Sequence, residues 1–214
     1  MIITMTEQPI QSRAERNRLQ LRADIIQTAF EEFSAKGYHQ TAISDIAKKL
    51  GIGHGTFYRH FQNKRDILEH VINDVSLKIM TALTAENAPS AATSLDSYRE
   101  QTARIAKRLT AIFIENPGIA RLMLFEATSI DQAMTQRLLS LLDWGGKLTA
   151  SYMEHGVKSG FFRADLDTES TGHAVIGMIM ISVIRFLDAP TDLAAQQQFG
   201  KAVQRLLVDG IALR

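Results

Sequence analysis

The side chains of this chain best placed to do chemistry lie close together: His54, Thr56, Arg59 and His60, with Gly55 and Tyr58 interleaved and Lys64 just beyond. They are small, polar or cationic groups in a short helical stretch, a set suited to hydrogen-bonding base edges and phosphates in a DNA major groove. Catalysis finds little to work with. The six histidines are scattered. His54 and His60 fall on different sides of a helix, and no His-x-x-x-His or His-Glu pair offers metal spacing. A Gly-x-Ser-x-Gly elbow is missing, so a hydrolase triad has no anchor. Gly51-Ile52-Gly53-His54-Gly55 superficially resembles a nucleotide-binding loop, but an amphipathic helix precedes it where such a loop needs a strand. No enzyme, metal site or cofactor is expected.

The flanking residues supply the elements that must hold this group. Ile43, Ile46, Ala47 and Leu50 recur at helical spacing and make one apolar face. Gly51 suits the left-handed stop of that helix, and Ile52 plugs the corner behind it. Phe57 and Phe61, four residues apart, bury the inner side of the next helix. That leaves His54, Gly55, Thr56, Arg59 and His60 facing outward. Two short helices joined by a glycine turn are a helix-turn-helix. Upstream, Leu21, Ile25, Ala29 and Phe33 form the core stripe of a first helix that Lys36-Gly37 closes. Arg13, Arg16, Arg18 and Arg22 lead into it, and a solvated face and phosphate or minor-groove contact are equally open readings for them. Asn63 is a good N-cap for a further helix with Asp66 in its first turn, running to about Thr84.

The stretches Ile26 to Tyr38, Thr41 to Ala47 and Gly55 to Lys64 resemble the DNA-binding region of the tetracycline-repressor (TetR) family, over about a fifth of the chain. The resemblance implies a DNA-binding set of Thr41, Ser44, His54, Gly55, Thr56, Tyr58, Arg59, His60 and Lys64. Within it, Thr56 and His60 are expected to approach base edges or nearby phosphates, and Tyr58 and Lys64 to grip the backbone. The family commonly has Ser or Thr where this chain has Gly53, so one phosphate-binding hydroxyl is missing. The resemblance also implies a C-terminal pocket whose ligand releases the DNA, and a dimer built by the last two helices.

The 214 residues accommodate a small head, 1–65 with an unpatterned arm at 1–12, and a larger body, 66–214. An apolar content of 45% suits a packed core, and the 4 prolines and 13 glycines lie between long helical patterns, so an all-helical chain is expected. The chain has no cysteine, which fits a reducing cytoplasm. The apolar run Ala174–Ile184 is too short for a bilayer, which needs ~20 residues. The net charge of +1 hides an asymmetry: through Arg65 there are 10 basic against 6 acidic residues, and beyond it 14 against 17. A basic head on an acidic body is expected where one end meets a polyanion.

Five further helices are expected in the body, at about 95–115, 117–128, 130–158, 168–187 and 192–211. A small-residue loop covers 85–94. Met123, Phe125, Trp144, Tyr152 and Met178 are candidate effector-lining residues, although each alone reads more simply as core. Gly145-Gly146 in mid-helix suggests a kink or the close approach of a neighbour or ligand. Gly177, Val183, Val203 and Leu207 are candidates for the homodimer interface. The combined reading is a cytoplasmic, homodimeric regulator, most simply a repressor, that binds a palindromic operator and releases it to a small, mainly apolar molecule. The rival readings are a DNA-organising or division-control protein answering to a protein partner, and a helical enzyme with a fortuitous helix-turn-helix.

Overall fold

A computed structural model describes residues 12–83, 87–115, 117–188 and 192–212. The chain divides into two compact units, 1–73 and 74–214. The first holds α1 (Arg13–Lys36), α2 (Ile43–Leu50), α3 (His54–Tyr58) and the start of α4 (Lys64–Ala82), which continues into the second. The head therefore extends past Arg65, because Ile67, Leu68 and Val71 are buried by it as fully as Ile25, Phe33, Ile46 and Phe57. The arm expected over 1–12 lies, up to residue 11, outside the described residues, as do 84–86 of the loop, Asn116 and Pro190.

The sequence signals for helix ends work as the chemistry requires. The Ser12 hydroxyl accepts from the Glu15 amide (3.1 Å) at the start of α1, and Gly37 ends it at φ +87°. Asn63 accepts from the Asp66 amide (2.9 Å) to open α4. In the other direction, the Asp66 carboxylate accepts from the Gln62 amide (2.8 Å).

The second unit contains α5 (Leu95–Glu115), α6 (Gly118–Arg121), α7 (Gln132–Lys158), α8 (Thr168–Asp188) and α9 (Leu193–Ile211). Between α6 and α7 the backbone stays helical through a wider π-type turn at Leu122–Glu126 and a tighter one at Ala127–Ser129. Among the described residues the one β-type pairing is an isolated antiparallel bridge between Phe162 and Ala212. Close by, the Arg163 amide donates to the Ile211 carbonyl (3.1 Å), which ties the end of α9 to the loop between α7 and α8.

Helices α7 and α8 cross at glycines. A Cβ on Gly172 would stand 2.5 Å from the Gly146 carbonyl oxygen, and one on Gly146 would stand 2.5 Å from the His173 ring. The mid-helix glycines are thus explained by a neighbouring helix of the same subunit. The core beside this crossing is made by Tyr98, Tyr152, Met153, Phe162, Val175 and Ile211.

The five effector candidates differ in burial. Tyr152 is buried in that core, with its hydroxyl donating to the Asn87 carbonyl, and Met178 packs against the same core. Phe125 and Trp144 instead lie exposed, by 52% and 37%, and Met123 is half-buried. Spacing along separate helices does not reveal which apolar side chains share a neighbourhood. The dimer candidates divide similarly. Val183 is only 8% exposed and belongs inside its own subunit, and Leu207 packs on the body core. Gly177 is exposed and Val203 half-buried. Among the described residues, the large apolar side chains left uncovered on α8 and α9 are Ile181 (45% exposed), Ile184 (39%) and Leu206 (69%).

The tightest glycine is Gly156, where a Cβ would lie 2.1 Å from the Phe162 ring. Gly156→Ala is expected to lower stability by about 1–3 kcal/mol through overpacking, read by thermal denaturation. In a Phe162→Leu background most of that loss should disappear. Equal losses in both backgrounds would mean that the ring is not what excludes the methyl.

Candidate nucleic-acid interface

The turn between α2 and α3 sets the site. Gly51 adopts φ +65°, ψ +29°, a left-handed conformation that few other residues take, and its amide reaches back to close α2. The Ile52 amide donates to the Ala47 carbonyl (3.0 Å), which fixes the corner. With only five residues, α3 cannot hold itself together. It is anchored by Phe57 and Phe61, 0% and 1% exposed, whose rings lie 5.8 Å apart.

On the other side of α3 the expected group is outward. His54, Gly55, Tyr58 and Arg59 are exposed, as is Ser44 in the first turn of α2. Tyr58 stands 54% exposed, edge-on to Phe57. A Cβ at Gly53 or Gly55 would meet nothing, so this stretch of backbone is open to close approach by another molecule. Thr56 and Arg59 act together: Arg59 Nη2 donates to the Thr56 hydroxyl (3.0 Å), leaving the hydroxyl proton available and orienting the guanidinium. His60 is half-buried, and burial, followed by the nearby charges of Arg22, Arg18 and Arg59, lowers its pKa. In the free protein it is therefore a neutral hydrogen-bonding group.

Two expected members are turned inward. Thr41 is 1% exposed, and its hydroxyl donates toward the carbonyls of Gly37 (2.8 Å) and Glu32 (3.2 Å), bracing the loop after α1. Lys64 donates from Nζ to the carbonyls of Tyr38 (2.8 Å), Thr41 (3.0 Å) and His39 (3.3 Å). It also lies 4.4 Å over the Tyr38 ring, and burial lowers its pKa. Its donors serve the loop between α1 and α2, so the expected backbone grip by Lys64 is corrected to a structural role. A cation at a helix start gives no sign in the sequence of whether it faces a phosphate or a ring of carbonyls.

Sequence reasoning left Arg22 among the leading arginines, whereas the structure uses it inside the head. Arg22 Nη1 donates to the His60 carbonyl (2.6 Å), Nη2 donates to His70 Nε2 (2.7 Å), and the guanidinium stacks 4.3 Å over Phe61. The available signal was its register: Arg22 stands three and four residues before Ile25 and Ile26, on the packed side of α1.

Residues 25–71 match the family described as bacterial regulatory proteins, tetR family. The chain is 26% identical over 189 residues to a fatty acid metabolism regulator protein of Bacillus subtilis, covering 87% of this chain and 93% of that protein. It is 24% identical over 151 residues to the transcriptional repressor KstR2 of Rhodococcus jostii, covering 69% and 71%. Among solved structures, the transcriptional regulator FadR from Bacillus subtilis in complex with stearoyl-CoA superposes with a TM-score of 0.72. That match has 23% identity and covers 88% of this chain and 98% of that one.

The geometry separates two cations by salt dependence. Arg59→Ala should weaken binding to duplex DNA and reduce the slope of log K against log salt by about 0.9, as for one lost phosphate contact. Lys64→Ala should leave that slope in place and instead destabilise the head by about 1–3 kcal/mol, because carbonyls lose their donor. Fluorescence anisotropy over a salt series, with thermal melts, decides. A reduced slope for Lys64→Ala at unchanged stability would restore the phosphate role.

Proposed function

We propose that the chain is a transcriptional regulator of the tetR family of bacterial regulatory proteins, not an enzyme, and that it is a repressor acting in the cytoplasm. In this reading a homodimer sits on a palindromic operator through α3 and the exposed residues around it. The observation that carries the DNA-reading part is the outward set Ser44, His54, Gly55, Thr56, Tyr58 and Arg59 on a helix pinned from behind by Phe57 and Phe61.

The dimer is supported by α8, a largely apolar helix of which only Gly172, Val175 and Val183 are buried within one subunit. Ile181 and Ile184 stand exposed one and two turns after the open Gly177 on α8, Leu206 stands exposed on α9, and a second copy of the chain would cover them. Pairing doubles the base contacts on a palindrome, which a single five-residue helix needs. Ile184→Glu or Leu206→Glu should therefore give monomers in sedimentation, whereas Val183→Glu should unfold the body.

The effector is proposed to carry a long acyl chain. Support comes from the similarity to a fatty acid metabolism regulator and from the stearoyl-CoA bound in a structural neighbour. The body core around Tyr98, Tyr152 and Met178 is rich in groups that adapt to such a chain. Gln101, beside it, donates to the Ala88 carbonyl (2.7 Å), while its buried Oε1 has no partner among the described residues. That oxygen would receive a donor on the ligand.

Release of DNA requires only that the effector favour a dimer whose α3 helices no longer match successive major grooves, about 34 Å apart. Helix α4, which belongs to both compact units, is the covalent route for that coupling. A ten-fold loss of operator affinity needs about 1.4 kcal/mol of coupling, and it must be reciprocal. Titrating stearoyl-CoA calorimetrically with and without operator DNA should give ligand affinities differing by the factor that ligand imposes on DNA binding. Equal affinities in both titrations would remove this ligand as effector.

A further inference from the structure

We infer that Arg22 is the residue that positions the DNA-reading helix, and that it does so only while His70 is neutral. Arg22 reaches from α1 across the head to the carbonyl of His60, two residues past the end of α3 (2.6 Å), and covers the ring of Phe61 at 4.3 Å. Its second nitrogen is held by His70 Nε2 on α4 (2.7 Å), and the His70 ring itself meets Phe61 edge-on at 5.4 Å. One guanidinium thus joins α1, the last turn after α3, and α4. Because α3 is too short to fix its own orientation, this junction sets where His54, Thr56 and Arg59 point.

The hydrogen-bond chemistry dictates the charge of His70. A guanidinium can only donate, so Nε2 must carry a lone pair and the ring proton must sit on Nδ1. Protonation would place an N–H on Nε2 facing the Arg22 donors. The carboxylate of Asp66, one turn back on α4, stands 3.6 Å from the same nitrogen and would take that proton. Nε2 cannot accept from Arg22 and donate to Asp66 together. Acidification therefore exchanges one partner for the other and removes the support behind Arg22. The remaining charges around the junction are Arg18 and Arg59, which act on the His60 ring, and Glu69, which is held by Arg65 (2.6 Å).

The inference rests on α3 being the DNA-reading helix and is independent of the effector and of the dimer. Its test uses the full chain, with an operator recovered from random duplexes and a scrambled duplex as reference. Arg22→Gln should weaken operator binding at least about ten-fold, with a smaller effect on the scrambled duplex and no change in salt slope, since no phosphate contact is lost. A slope lower by about 0.9 would make Arg22 a phosphate ligand and overturn the positioning role. His70→Gln keeps an acceptor near the Nε2 position but cannot protonate. On acidification the wild type should lose operator affinity relative to His70→Gln, and because the other five histidines are common to both, the ratio isolates His70. A ratio constant with pH overturns the charge requirement. Should Arg22→Gln fail to fold, or should DNA binding itself fail, imidazole ¹⁵N spectra of the wild type still decide. A protonated Nδ1 and bare Nε2 on His70 at neutral pH are expected, and the opposite tautomer contradicts the junction.

Discussion

A helix of five residues has no stability of its own: isolated helices shorter than about 12 residues are marginal in water, and α3 is far below that length. The orientation of the residues proposed to read DNA therefore depends on the burial of Phe57 and Phe61 in the head. Each is essentially inaccessible to solvent, and a buried aromatic of this size contributes roughly 1.5–3 kcal/mol. Around these rings the other features of the head follow. The left-handed Gly51 directs the chain into α3, Ile52 closes the corner, and the Phe61 ring meets Arg22 of α1 and His70 of α4. The outward face then needs no packing role, which frees it to carry glycine, threonine and arginine.

The same constraint explains why two of the head's cations point inward. A short helix and the loop before α2 leave backbone carbonyls that no regular ladder satisfies. Lys64 answers those of Tyr38, His39 and Thr41, and Arg22 answers that of His60. The head's excess of 10 basic over 6 acidic residues through Arg65 is thus not all available to a polyanion. Arg22 and Lys64 hold the head together, Lys36 and Lys49 pair with Glu31 and Glu32, and Arg59 is among those left facing outward.

Most of the fold was legible from the chain, because its signals are local. Apolar periodicity marks α1 and α2, Asn63 and Gly37 mark helix ends, and the glycine turn marks the helix-turn-helix. What the sequence did not reveal are relations between distant residues. Val183 and Ile184 are adjacent aliphatics on α8, yet only contact with the rest of the body decides that the first is buried and the second exposed. Trp144 and Tyr152 share α7 but lie in different surroundings. Gly146 reads in sequence as a weakness in a helix, and the reason for it stands on α8 at His173. Lys64 and Arg22 fall in the same class, since their carbonyl partners lie more than twenty residues away.

The central claim is that this chain reads a two-fold symmetric DNA site through paired α3 helices. Selection of bound sequences from random duplexes, followed by footprinting of the enriched site with the purified full chain, tests it most directly. An inverted repeat is expected, with half-site centres one helical turn or a multiple of it apart, about 10–10.5 base pairs per turn. Protection should be symmetric about its centre and lost when Thr56 and Arg59 are both replaced by alanine. Enrichment of a single unsymmetrical half-site, or no enrichment with protection unaffected by those substitutions, would contradict it.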